Sequence, residues 1–152
     1  MVAVFLGVSA FQARNMLGTD RQPAPELAAR TLAGVEFDLS EVDSRTTLVY
    51  FFAPWCHYCA LSSGNLNRLQ RFRSEKGLRV ITVALDWDSV DEVRDYVEEH
   101  ELNVPVLLGD VSIARTWKVS AFPTYYVLDR DHRISARDIG YSTQLGLLWR
   151  SR

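Results

Sequence analysis

Residues Leu48 to Cys59 read LVYFFAPWCHYC, and this stretch decides the fold. A run rich in β-branched and aromatic residues, Leu48 to Phe52, stops at Ala53-Pro54, and a Cys-x-x-Cys pair follows where a helical pattern begins. Two thiols therefore stand at a strand-to-helix turn. The first turn of a helix has unpaired backbone N–H groups and the positive end of the helix dipole, and both favour a thiolate over a thiol. Cys56, nearer the helix end, is the expected nucleophile. Cys59 lies three residues on, on nearly the same face and within disulfide reach, where it can resolve a mixed disulfide.

Two other readings of the pair are an inert staple and a metal site. Closing so short a ring stabilises a fold by only roughly 2 kcal/mol, so a staple here would hold little together. A structural zinc takes four ligands, whereas the chain has two Cys and three scattered His. Redox exchange is the favoured reading, with no metal expected.

The 152 residues suffice for one domain with a proper core, and 47% hydrophobic with 24% charged residues is the composition of a soluble globular protein. A net charge of -2 gives no argument for nucleic acid or anionic membrane as a partner. Met1 to Phe11 (MVAVFLGVSAF) is apolar, too short to span a bilayer and without the basic start of a signal peptide. Residues 1–20 are read as the remnant of a membrane anchor, the alternative being an ordinary N-terminal helix that docks on the body. Arg21 to Pro25 (RQPAP) is a stiff, extended boundary, and the folded domain is expected over 21–152.

Leu27 to Leu39, with Gly34 between two short apolar stretches, predicts a hairpin. After the Cys-x-x-Cys pair, Leu61, Leu66, Leu69 and Phe72 recur at helical spacing, and the helix is expected to end by Gly77. Leu78 to Leu85 is apolar on both alternations apart from Arg79 and Thr82, as in a central strand covered on both faces. Ser89 and Glu92 form a capping box, with Val90, Val93 and Val97 as the buried stripe of an acidic helix. Val104 to Leu108 predicts a strand that Pro105 confines to an edge or a strand start. A brief helix over Ser112 to Lys118 follows. Thr124 to Leu128 and Ile134 to Ile139 flank a polar turn and predict an antiparallel hairpin, after which Ser142 caps a last helix carrying Leu145, Leu148 and Trp149. The whole is an α/β chain with a mixed central sheet flanked by helices, an N-terminal hairpin extension and a helical insert around Asp88 to Glu101. Trp117 and Trp149 are read as core, Trp87 as core or cleft rim, and His100 and His132 as surface.

Phe52-Ala53-Pro54-Trp55-Cys56-His57-Tyr58-Cys59, with Ala121-Phe122-Pro123-Thr124 downstream, resembles the active site and cis-proline loop of the thioredoxin superfamily. The resemblance covers about Pro23 to Arg150. Its extension and insert are similar to periplasmic, membrane-anchored thioredoxin-like proteins of the TlpA and suppressor-of-copper-sensitivity type. It departs from two relatives. Ser62 and Gly64 stand where cytochrome-maturation reductases carry a glutamate and a proline, and Tyr50 stands where thioredoxins carry a buried acid.

The resemblance implies a protein thiol-disulfide oxidoreductase, acting as a reductase, with Cys56 and Cys59 catalytic and no cofactor beyond their own disulfide. Trp55 would shield the sulfurs, and Pro123 would face them in its cis form. His57 either supports the Cys56 thiolate or, with Tyr58, is a plain spacer. Phe122 and Thr124 either shape substrate binding or merely pack. Glu36, Asp38 and Asp86 are available carboxylates, but nothing in the sequence brings one to Cys59, whose proton acceptor stays unassigned. Partners would be protein thiols or disulfides and an upstream membrane redox protein, on the periplasmic side of the bacterial inner membrane. The alternatives are a disulfide-donating oxidase and a thioredoxin-like module that holds a client or copper without turnover.

Overall fold

The computed structural model describes residue 11, residues 13–141, and residues 146 and 149. The expected cap at Ser142, with Leu145 and Leu148, and most of the apolar run Met1 to Phe11, lie outside the described residues.

Strand β3 (Thr46–Phe52) is buried along its whole length, as a continuous apolar run requires of a strand covered on both faces. It pairs in parallel with β4 (Leu78–Ala84), and β4 pairs in parallel with β5 (Val106–Leu108). On its other side it pairs antiparallel with β6 (Thr124–Leu128), which forms a hairpin with β7 (Ile134–Ile139). The order β5-β4-β3-β6-β7 is a five-stranded mixed sheet. Strand β5 begins just after Pro105 and lies at the sheet edge, as the proline demands.

The expected N-terminal hairpin forms from β1 (Ala28–Arg30) and β2 (Glu36–Asp38), with Arg30 paired to Glu36 across it. It docks on β5, where the Leu32 amide donates to the Val106 carbonyl (2.8 Å), and so covers part of an edge that would otherwise invite pairing. The Pro-rich stretch also packs: Pro23 bridges to Arg133, and the Ile134 amide donates to the Gln22 carbonyl (3.0 Å). Packed residues precede the boundary expected at residue 21. Met16 is buried, and the Leu17 amide donates to the Tyr126 hydroxyl (3.3 Å).

Helix α1 (His57–Arg73) ends in a short 3-10 turn and then Gly77, whose φ of +82° is easy only without a Cβ. Its buried face is Cys59, Ser62, Ser63, Leu66 and Leu69. Leu61 and Phe72, expected on that face, are exposed instead. The reason is phase. At 3.6 residues per turn they lie about 200° and 220° around the helix from Cys59, which must face the sheet.

Helix α2 (Val90–Glu99) starts as expected at Ser89, whose Oγ accepts from the Glu92 amide (3.2 Å). The Glu92 carboxylate, however, accepts from the Asp88 amide (2.8 Å), one residue earlier than a standard capping box. Val93 and Tyr96 supply its buried side chains, while Val90 is partly exposed. A short helix α3 (Val111–Thr116) follows β5, and Trp117 behind it is fully buried as expected. Trp149, also expected in the core, is exposed. His100 ends α2 with its ring against Tyr96 (4.6 Å). His132, expected on the surface, is half-buried with its ring nitrogen 2.9 Å from the Val42 carbonyl. Among the described residues no helix is long and apolar enough to cross a membrane.

Candidate active site

Cys56 is the residue that caps α1. Its backbone is extended, and its Sγ accepts from the Cys59 amide at 3.3 Å, in the seat where helices ordinarily place a Ser or Asp oxygen. One of the unpaired N–H groups of the helix start is therefore aimed at sulfur, which stabilises negative charge there. Cys56 and Cys59 are joined as a disulfide with Cα atoms 5.3 Å apart. Cys56 keeps 6% of its surface exposed and Cys59 none, so an incoming thiol meets Cys56 first.

The surroundings assemble at the edge of the sheet where the parallel strands β3 and β4 finish and the antiparallel β6 begins. The Phe122-Pro123 peptide is cis, just ahead of β6. Trp55 is 62% exposed, its ring edge-on to Phe122 at 5.7 Å. The Trp55 indole N–H donates to the Asp86 carboxylate (3.0 Å), and Asp86 takes a left-handed conformation to receive it. Sequence reasoning named Asp86 only as an available carboxylate for Cys59 and missed its bond to Trp55. The signal was available, since parallel β3 and β4 end side by side and Asp86 and Trp55 both follow within a few residues of those ends.

His57 and Tyr58 are exposed, with their rings 6.1 Å apart. Pro123 is buried, and Thr124 is fully buried with its hydroxyl donating to the Ala121 carbonyl (2.7 Å). Trp87 is half-buried, and its indole donates to the Gly109 carbonyl (3.0 Å). A cavity of about 470 Å³ opens beside Phe122, lined also by Asp86, Trp87, Asp110 and Val119. Trp87 lines this cavity and also packs against the buried cluster that holds the cysteines. Glu36 pairs with Arg30, and Asp38 caps a 3-10 turn, accepting from the Ser40 hydroxyl (2.7 Å) and the Ser40 amide (2.8 Å), which together hold its carboxyl below the usual range. Neither carboxylate is tied to the cysteines.

Beneath the disulfide the polar groups are hydroxyls. Tyr50 of β3 is 1% exposed and stacks on Tyr125 across the sheet (6.4 Å). Its hydroxyl is buried without a hydrogen-bond partner. The Ser62 hydroxyl lies beside it but donates to the Tyr58 carbonyl (2.9 Å). An orphaned buried hydroxyl costs about 1–3 kcal/mol. Burial also pushes the Tyr50 phenol far above its ordinary range, so it stays protonated. A neighbouring pair, Ser63 and Tyr96, is satisfied, with oxygens 3.2 Å apart. Among the described residues no group of three or more His, Cys, Asp or Glu could hold a metal ion.

The same architecture occurs in solved structures. A secreted thiol-disulfide isomerase from Corynebacterium glutamicum superposes with a TM-score of 0.79 over 90% of this chain and 87% of its own, at 23% identity. A putative thiol:disulfide interchange protein DsbE from Chlorobium tepidum gives 0.78 over 88% and 96%, at 22% identity. Both show the thioredoxin-like fold. In sequence, the chain is 27% identical to the thioredoxin-like protein YneN of Bacillus subtilis, over 81% of this chain and 73% of that protein. It is 28% identical to the thiol-disulfide oxidoreductase ResA of Bacillus cereus, over 80% and 70%. The Redoxin family model matches residues 19–145. With its thioredoxin-like fold, its Cys-x-x-Cys disulfide and thiol-disulfide oxidoreductases as homologues, the protein belongs to the Redoxin family.

Proposed function

We propose that this protein reduces disulfides in other proteins outside the cytoplasm, tethered to the membrane through its apolar N-terminal segment. The observation that carries the chemistry is the seat of Cys56, partly exposed at the helix start with a backbone N–H on its sulfur. In the reduced protein the Cys56 thiolate attacks a substrate disulfide. One S–S bond forms, one breaks, and the substrate leaves a thiolate. The Cys59 thiolate then attacks the Cys56 sulfur, releasing the second substrate thiolate and closing Cys56–Cys59. Two electrons have moved from the pair to the substrate.

The other groups act on approach. Trp55, held by Asp86, gives the substrate an apolar platform next to the sulfurs, and Tyr58 extends it. The cis-Pro123 loop offers backbone for pairing with an extended segment. Phe122 makes the side-chain contact there, and Thr124 holds the loop through Ala121. His57 adjoins Cys56 but is exposed, so solvent screens its support of the thiolate. That favours a reductase over a strong oxidant. Periplasmic placement, and an upstream membrane protein that restores the dithiol, accord with the apolar segment Met1 to Phe11 and with the secreted relative.

The test is reduction of insulin disulfides by the wild-type protein and by Cys56→Ser. Turnover that falls to the uncatalysed background in the variant is expected. A wild type that binds a client or copper(I) but never turns over would instead make it a holding module.

A further inference from the structure

Tyr50 has no part in the exchange described above, yet its position is unusual. It stands on β3 between Leu48 and Phe52 on the sheet face that α1 covers, in the same buried cluster as Cys56 and Cys59. Stacking on Tyr125 fixes its ring. Its hydroxyl is the buried side-chain polar atom without a partner among the described residues. The adjacent Ser62 is one turn along α1 from Cys59, on the same buried face, so the orphaned hydroxyl lies under the cysteine-bearing side of the helix. In the oxidised protein no acceptor is in hydrogen-bonding geometry with it, the Ser62 hydroxyl beside it being turned to the Tyr58 carbonyl.

We propose that the Tyr50 hydroxyl donates a hydrogen bond to the Cys59 sulfur when the Cys56–Cys59 bond opens. The inference rests on the exchange reading above. An incoming thiolate attacks the Cys56 sulfur, a new S–S bond forms, and the electron pair of the broken bond goes to Cys59, which leaves as a thiolate with no proton moved. That charge forms inside a buried cluster of largely apolar side chains. A neutral donor stabilises it, whereas a carboxylate in its place would repel it and act only as a base. The protein thus exchanges a buried base for a buried donor. Its reduced form is favoured, and the Cys59 thiol is made more acidic.

The decisive comparison is the redox equilibrium of the wild type and Tyr50→Phe against glutathione or dithiothreitol buffers. Loss of a hydrogen bond to a charged sulfur is expected to shift the equilibrium about tenfold toward the disulfide, a potential about 30 mV more negative. In a Cys56→Ser background, the thiolate absorbance of Cys59 should appear at higher pH once Tyr50 is Phe. Tyr96→Phe removes a hydroxyl already paired with Ser63 and should leave the potential unchanged. Ser62→Ala removes the neighbouring hydroxyl and should also leave it unchanged. An unaltered potential and Cys59 titration in Tyr50→Phe would overturn the proposal, and so would an equal shift in Ser62→Ala, which would assign the effect to Ser62. A wild type that does not equilibrate with thiol buffers at all would overturn the exchange reading instead.

Discussion

The two faces of the central sheet are built from similar residues to different ends. On the face away from α1, Phe51, Trp117 and Tyr126 pack together with ring centroids 5.4 to 6.3 Å apart, and every hydroxyl and indole in the group is bonded. Tyr126 donates to the Trp117 carbonyl (2.8 Å) and accepts from the Leu17 amide, while the Trp117 indole donates to the Glu26 carbonyl (3.2 Å). On the α1 face, Phe52 stacks on Tyr96 and Tyr50 on Tyr125, but the Tyr50 hydroxyl is left open. Saturated polar groups in one core and an open one in the other set the two faces apart.

Alkali should strain both faces, and unequally. Burial raises the phenols of Tyr50, Tyr96 and Tyr126 above their ordinary value near about 10, and most strongly that of Tyr50. The unfolded chain then loses these protons first. Stability should be full below about pH 10 and fall above it by up to about 1.4 kcal/mol per pH unit for each phenol, until the folded protein also ionises. Denaturant unfolding across this range checks the sign, and Tyr50→Phe should flatten the loss more than Tyr126→Phe. Equal flattening would erase the distinction between the faces.

A smaller effect sharpens the comparison at neutral pH. Tyr126→Phe breaks two hydrogen bonds and should cost about 1 to 2 kcal/mol in denaturant unfolding. Tyr50→Phe removes an orphaned atom from the oxidised protein and should cost nothing or stabilise it slightly. The reverse ranking would mean that the open hydroxyl has a partner in solution.

Much of this was legible in the sequence because it depends on local pattern. Thr124–Leu128 and Ile134–Ile139 form as the alternation and polar turn predict, and Pro105 sets the edge position of β5. What escaped depends on neighbours distant in the chain. The four apolar residues of α1 look like one stripe until Cys59 fixes the phase and turns Leu61 and Phe72 outward. Asp86 reaches Trp55 only because two parallel strands end together, 31 residues apart in sequence. Tyr50 could be noticed as an unusual residue for its position, but that its hydroxyl is orphaned follows from the packing of Tyr125 and Ser62 around it.

The most direct test of the account is the reduction potential of the Cys56–Cys59 couple, by equilibration of the wild-type protein with dithiothreitol or glutathione buffers. An exchange-active reductase predicts a reversible two-electron couple toward the thioredoxin value of about −270 mV. A disulfide that stays closed to potentials below about −300 mV, the range of structural bridges, would contradict it.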